Sequence, residues 1–416
     1  MNPSDRSMFA PAAGRRAAGT TATGLVAILS FAAALVAGCG GGGGDGATAG
    51  SSTAPATAST AAYTQGTITG FGSVIVNGVR FDESTATVTD EDGSLKAASS
   101  LRLGMRVEVD SAKVDASTAT ARASAVRYGA QVLGPVSAVA ATSITVLGQV
   151  VDITATTVFD DSLVGGLAAV AVGAVVKVHG LADAATGHIV ATRVEPETGA
   201  TAYRLRGTVA SLDTTFKTFA IGGAVISYAD LAASQVPDSL ANGVALRVKL
   251  ATTPANGAWV AQSLHVKASK PADTSVAHLR GAITAFTSAT AFTVDGLVVD
   301  AGNAAFPDGI AGVVLGAQVE VHGTVSNGVL LATRVSIESK HRGDDDRKLE
   351  LHGAITAVDA TAKTFVLRGV TVSVAGTVTY TGGTEAGLVV GAKVAVRGGV
   401  GSTRTQVLAV TIKFES

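Results

Sequence analysis

The chain has 416 residues, with 50 glycines, 47% hydrophobic residues, only 4% aromatics and a formal net charge of −1. That length predicts several domains rather than one small core. The scarcity of aromatics argues against a ring-stacking platform for bases or sugars, the charge (−3 once residues 1–38 are set aside) leaves no basic field for nucleic acid, and one cysteine excludes an internal disulfide, a CxxC pair or a Cys-rich zinc site.

Residues 1–23 are polar and place Arg15 and Arg16 ahead of an uncharged run, "GLVAILSFAAALVA", residues 24–37. Its 14 residues fall short of the ~20 that cross a bilayer as a helix, and basic-then-apolar-then-small is the pattern of a secretory signal. Val36-Ala37-Gly38-Cys39 resembles the lipobox of bacterial lipoproteins. That resemblance implies a signal peptide over 1–38, cleavage just before Cys39 and acylation of the Cys39 sulfur. An ordinary signal peptide with an incidental cysteine is the alternative; the uniqueness of Cys39 and the tether behind it disfavour that reading. Residues 39–65 then form the lipidated end of a Gly/Ser/Thr/Ala-rich, disordered tether with a reach of about 28 Å. Gly40, where inner-membrane-retained relatives of many species carry aspartate, implies the outer membrane, with the body periplasmic or at the cell surface.

The remainder is one unit written five times. Opening glycines stand at 66, 134, 207, 281 and 353 and closing glycines at 104, 173, 243, 316 and 391. Val107-Glu108-Val109 and Val319-Glu320-Val321 alternate as half-buried strands do, and Asn77-Gly78, Gly222-Gly223 and Asp295-Gly296 are placed for tight hairpins. The prediction is all-β: five tandem small antiparallel β-barrel modules, OB-like in their strand order, at 66–130, 131–199, 203–268, 277–338 and 350–416. A charged linker occupies 339–349, and 84–100 and 154–171 are the long connections within the first two modules. "GTITGFGSVIVNGVRFD" followed by "LRLGMRVEV" resembles the bacterial repeat family known as domain of unknown function 5666, which implies secretion or lipid anchoring and no known chemistry. Strung as beads, five such modules would extend about 140 Å.

Residues that could carry chemistry are few. Ser73 lacks the second flanking glycine of a nucleophile elbow and reads as a turn serine. His179 and His322 stand at equivalent strand ends without HxH or HxxxH spacing and read as surface polar residues, so no metal site is predicted. Asp82, Asp152 and Asp300 read as turn aspartates rather than calcium ligands. Arg342-Gly343-Asp344 spells an adhesion tripeptide inside the solvated linker. Phe216, Phe219, Tyr228 and Trp259 mark the third module as the best place for a pocket, with core packing the simpler explanation. No catalytic residue and no cofactor are predicted; Cys39 is the single functional residue. The expected role is a non-enzymatic spacer, scaffold or binding array, held to the membrane by its N-terminal lipid and facing an envelope or extracellular protein or glycan, with no nucleic-acid partner. The alternative is small-ligand, metal or oligosaccharide binding by one barrel.

Overall fold

The structure, a computed structural model, describes residues 61–183, 185–266, 271–338 and 349–415. The signal segment, Cys39, most of the tether and the tripeptide at 342–344 lie outside the described residues.

Valine-rich alternation yields seven strands in the first segment: β1 (Ala62–Phe71), β2 (Val74–Val76), β3 (Val79–Asp82), β4 (Thr87–Thr89), β5 (Leu95–Lys96), β6 (Arg106–Ser111) and β7 (Thr120–Tyr128). β1 pairs with β2, β2 with β3, β3 in parallel with β7, β7 with β6, and β6 back with β1, which closes a five-stranded barrel. One parallel pair in that order is OB-like. β4 and β5 decorate it, β4 running parallel to β7.

The second segment repeats the circuit with β8 (Val132–Val139), β9 (Ser143–Val146), β10 (Gln149–Asp152), β11 (Val158–Phe159), β12 (Val175–Ala182) and β13 (Ile189–Pro196). The barrel is β8-β9-β10-β13-β12, with β10 and the decorating β11 both parallel to β13. The same pairing order recurs downstream. It runs through β14 (Tyr203–Thr208), β15 (Ala210–Asp213), β16 (Thr218–Ile221), β17 (Ala224–Ser227), β18 (Ala245–Leu250) and β19 (Trp259–Val266). It continues through β20 (Thr274–Ser288), β21 (Ala291–Val294), β22 (Leu297–Asp300), β23 (Gln318–Ser326) and β24 (Val329–Ile337). It ends with β25 (Leu349–Asp359), β26 (Thr364–Leu367), β27 (Val370–Ser373), β28 (Thr379–Thr381), β29 (Lys393–Val400) and β30 (Val407–Phe414). Short 3-10 turns at Ala98–Ser100 and Gly166–Ala169 sit in the expected long connections.

Both glycine markers have a steric cause. Gly104, Gly173, Gly243, Gly316 and Gly391 all take left-handed φ between 81° and 90°, turning the chain sharply into the strand that closes each circuit. Each donates its N–H to the first strand, two residues past the opening glycine, at Ile68, Val136, Val209, Ile283 or Ile355, over 2.8–2.9 Å. At the opening position the second hairpin folds over the backbone: a Cβ on Gly66 would lie 2.1 Å from Asn77 Oδ1, and one on Gly207 2.3 Å from Ile221 Cγ2. Asn77-Gly78 and Asp295-Gly296 have positive φ at both residues, whereas in Gly222-Gly223 only Gly222 does. Leu147-Gly148 and Arg368-Gly369 adopt the doubly left-handed turn although Leu and Arg gave no signal for it.

The described residues between 61 and 415 fall into one compact unit, which corrects the expected extended string. The reason is strand pairing between barrels. β1 runs parallel to β20 over Ala62–Gln65 and to β25 at Gly70–Phe71, and β8 pairs with β14. The tether therefore ends earlier than residue 65: Ala62, Tyr63, Thr64 and Gln65 are buried in β1. Cores merge accordingly. Val136, Phe159 and Val178 of the second segment share one apolar cluster with Leu205, Phe219 and Val248 of the third. Phe81 and Val109 share another with Leu351 and Phe365, while Tyr63 completes the cluster around Leu279 and Val321.

The β1–β25 junction leaves no room for a side chain, since a Cβ on Gly70 would lie 2.1 Å from the Glu350 carbonyl oxygen. Gly70→Ala is expected to cost about 1–3 kcal/mol and to lower the urea midpoint of the folded body; an unchanged midpoint would show that this contact does not hold the barrels together.

Candidate functional site

Charged side chains at alternate strand positions converge where barrels meet. A cleft of about 390 Å³ is lined by Arg106, Glu108 and Arg127 of the first segment, Arg206 and Arg247 of the third, and Asp295 of the fourth. Arg106 pairs with Asp295 and donates to the Arg280 carbonyl at 3.1 Å. Glu91, on the turn after β4, is the anchor toward the third barrel. Its carboxylate meets Arg204 at 3.1 Å and Arg206 at 3.4 Å and accepts the Ala130 N–H at 2.7 Å, while Arg247 donates to its backbone carbonyl. Burial pushes the Glu91 carboxyl above its ordinary range against the pull of Arg206 and Arg204.

A second junction forms around Arg193 on β13. Its guanidinium is 5% exposed and binds Asp160 at 2.7 Å and Glu195 at 2.8 Å. Arg193 also donates to the Leu103 carbonyl at 3.4 Å, and neighbouring Thr192 donates to that of Gly104 at 2.6 Å. Side chains of the second barrel thereby grip the closing turn of the first.

His179 was expected at the surface; it is fully buried on β12, on the face opposite the core residue Val178 and across the strand pair from Arg193. Neither ring nitrogen has a hydrogen-bond partner, and Glu195 Oε1 is 3.9 Å from Nε2. Burial lowers its pKa from 6.5 to about 3, with Glu195 opposing and Arg193 reinforcing the shift.

The fourth barrel holds the densest cluster of possible metal ligands among the described residues: His278, Glu320 and His322. β20 and β23 pair antiparallel with His278 opposite His322, and Glu320 lies two residues before His322 on the same face. Glu320 Oε1 is 2.6 Å from His278 Nε2 and 3.1 Å from His322 Nε2. The two imidazoles stack with centroids 4.2 Å apart. Hydrogen bonds from His278 and then His322 hold the Glu320 carboxyl far below its ordinary range, and burial lowers His278. Arg280 lies 3.7 Å from Glu320 Oε2 and is itself paired with Glu338 at 2.7 Å.

The other candidates are placed as follows. Ser73 lies in the β1–β2 turn. Asp82 and Asp300 cap their own turns, accepting the N–H of Ser84 at 3.1 Å and of Gly302 at 2.9 Å, while Asp152 meets His188 Nδ1 at 3.0 Å. Phe219 and Tyr228 are core residues 5.9 Å apart, Trp259 packs edge-on against Tyr203, and Phe216 is exposed at a hairpin tip. Reasoning from sequence missed His278 and Glu320. The signal was present in register: three residues before an opening glycine faces six residues after a closing one, as Tyr63 faces Asp110 and Glu350 faces Arg397.

Two outcomes follow. Removing Glu91 leaves Arg204 and Arg206 without their buried partner, so Glu91→Ala is expected to cost about 2–4 kcal/mol in urea unfolding, discounted for arginines that keep a fifth of their surface in water. His179 is neutral in the fold until about pH 3, whereas in the unfolded chain it takes up a proton below about 6.5. Its share of stability is intact above pH 6.5 and is lost as pH falls toward 3, by roughly 1 kcal/mol per unit. His179→Leu should flatten the pH dependence of the urea midpoint across that window; a slope equal to that of the parent chain would contradict it.

Four stretches, residues 65–123, 134–195, 280–336 and 352–413, match the family described as domain of unknown function DUF5666. No curated protein matches the chain. Residues 203–266 lie outside those matches yet follow the same strand circuit. With more than half its length covered by repeated matches, the chain belongs to the DUF5666 family.

Proposed function

We propose that this is a lipid-anchored cell-envelope protein whose five barrel modules form a non-enzymatic scaffold or binding array for another envelope or extracellular component, protein or glycan. One observation carries the reading: the barrels are locked to one another through β1 and the polar junctions, giving a preorganised body that loses little entropy when it binds. The charges of Arg106, Asp295, Glu91, Arg204 and Arg206 are engaged in holding barrels together, a structural use that accounts for their presence. Repeated turns at equivalent places offer similar contacts several times, so weak interactions add through effective concentration. The anchor rests on the lipobox resemblance around Cys39 and the Gly-rich stretch behind it. Attachment in the outer membrane, with the body periplasmic or outward-facing, extends the same resemblance.

The expected result is a mature protein whose first residue is a fatty-acylated Cys39, seen by mass spectrometry, and a Cys39→Ala variant that leaves the membrane fraction. An unmodified thiol, or membrane retention of the variant, would overturn the anchor. Crosslinking from body surfaces in intact cells is expected to yield adducts with envelope components; adducts confined to the chain itself would overturn the array.

A further inference from the structure

We propose that His278, Glu320 and His322 bind one zinc-class divalent cation on the face of the fourth barrel, a function separate from the scaffold reading. Two imidazole nitrogens and one carboxylate oxygen converge, all three ligand atoms within 4.8 Å of one another. Their convergence is fixed by backbone: a cross-strand pair and a residue two positions along the same strand share one face of a closed sheet. Two nitrogens and one oxygen suit zinc and its borderline neighbours, whereas calcium and magnesium prefer all-oxygen sets.

Burial is graded in the useful direction. His278 and Glu320 keep 13% and 25% of their side chains exposed, and His322 keeps 43%. His322 therefore has room to turn out of the ring stack so that its Nε2 meets the ion, and its solvent side leaves a coordination position for water or a partner's ligand. Arg280 stands by Oε2 of Glu320, leaving Oε1 for the metal.

The other histidine clusters lack this composition. In the fifth segment Glu350 is shared by His352, Arg80 and Arg397, two permanent cations that compete with a metal for the carboxylate. His179 is enclosed beside Arg193 and Lys177, which disfavour a further cation. At the equivalent cross-strand position the first and third barrels carry Tyr63 with Asp110 and Arg204 with Lys249.

Zinc alone is the probe, titrated calorimetrically into the tag-free chain carrying Cys39→Ser, which removes its only thiol. The expected result is one ion per chain, with affinity falling about tenfold or more in His278→Ala and in His322→Ala and unchanged in His352→Ala. Cobalt in place of zinc is expected to give the visible absorption of a four-coordinate site, lost in His322→Ala. The half-exposed position of His322 and a metal-free thermal midpoint matching the parent check that this variant folds. No binding at micromolar zinc, or equal affinity in the doubly substituted His278→Ala, His322→Ala chain, would overturn the proposal.

Discussion

Barrel closure depends on a reciprocal pair of backbone hydrogen bonds between the first strand and the turn leading into the fourth strand of each circuit. In the first segment the Gly104 N–H donates to the Ile68 carbonyl and the Ile68 N–H donates to the Met105 carbonyl, both at 2.9 Å. The left-handed turn demands glycine on one side of the contact, and the hairpin folding over the first strand demands it on the other. The two recurrent glycines are thus two halves of one device, which explains why they keep step along the chain. Once closed, the circuit leaves few free edges, so further association has to use overhanging strand ends and side chains.

β1 supplies those ends. Its first residues join the sheet of the fourth barrel and its last residues meet β25 of the fifth, while Glu91 and the Leu103–Gly104 turn are held by the third and second. The first barrel is the hub. The ion pairs at these junctions recover in Coulomb attraction much of what burial of their charges costs, and their main effect is to fix which barrel sits against which. Apolar merging adds to cohesion: Val178 and Leu205 belong to one buried cluster and Val109 and Leu351 to another.

A closed circuit with a constant register also acts as a chassis on which chemistry varies. The same cross-strand position carries Tyr63 with Asp110, Arg204 with Lys249, His278 with His322 and Glu350 with Arg397. The pairing register is the same while the side chains range from a buried phenol to a pair of imidazoles. Family membership accordingly fixes the frame and leaves function to individual positions.

Sequence alone determined the strand content and the repeating unit and pointed to the family, because glycine spacing and valine alternation are local consequences of turn geometry and one-sided burial; the OB-like order it suggested was decided by the strand pairings. It also marked Asn77-Gly78 and Asp295-Gly296 as tight turns, through residues that tolerate positive φ; it missed Leu147-Gly148 and Arg368-Gly369, where the two-residue link between paired strands imposes the same conformation on Leu and Arg. Tertiary structure decided the rest. The gathering of the barrels around β1, the burial of His179 and the meeting of His278 with Glu320 depend on pairings between residues far apart in the chain, and no local pattern encodes which strand end will meet which.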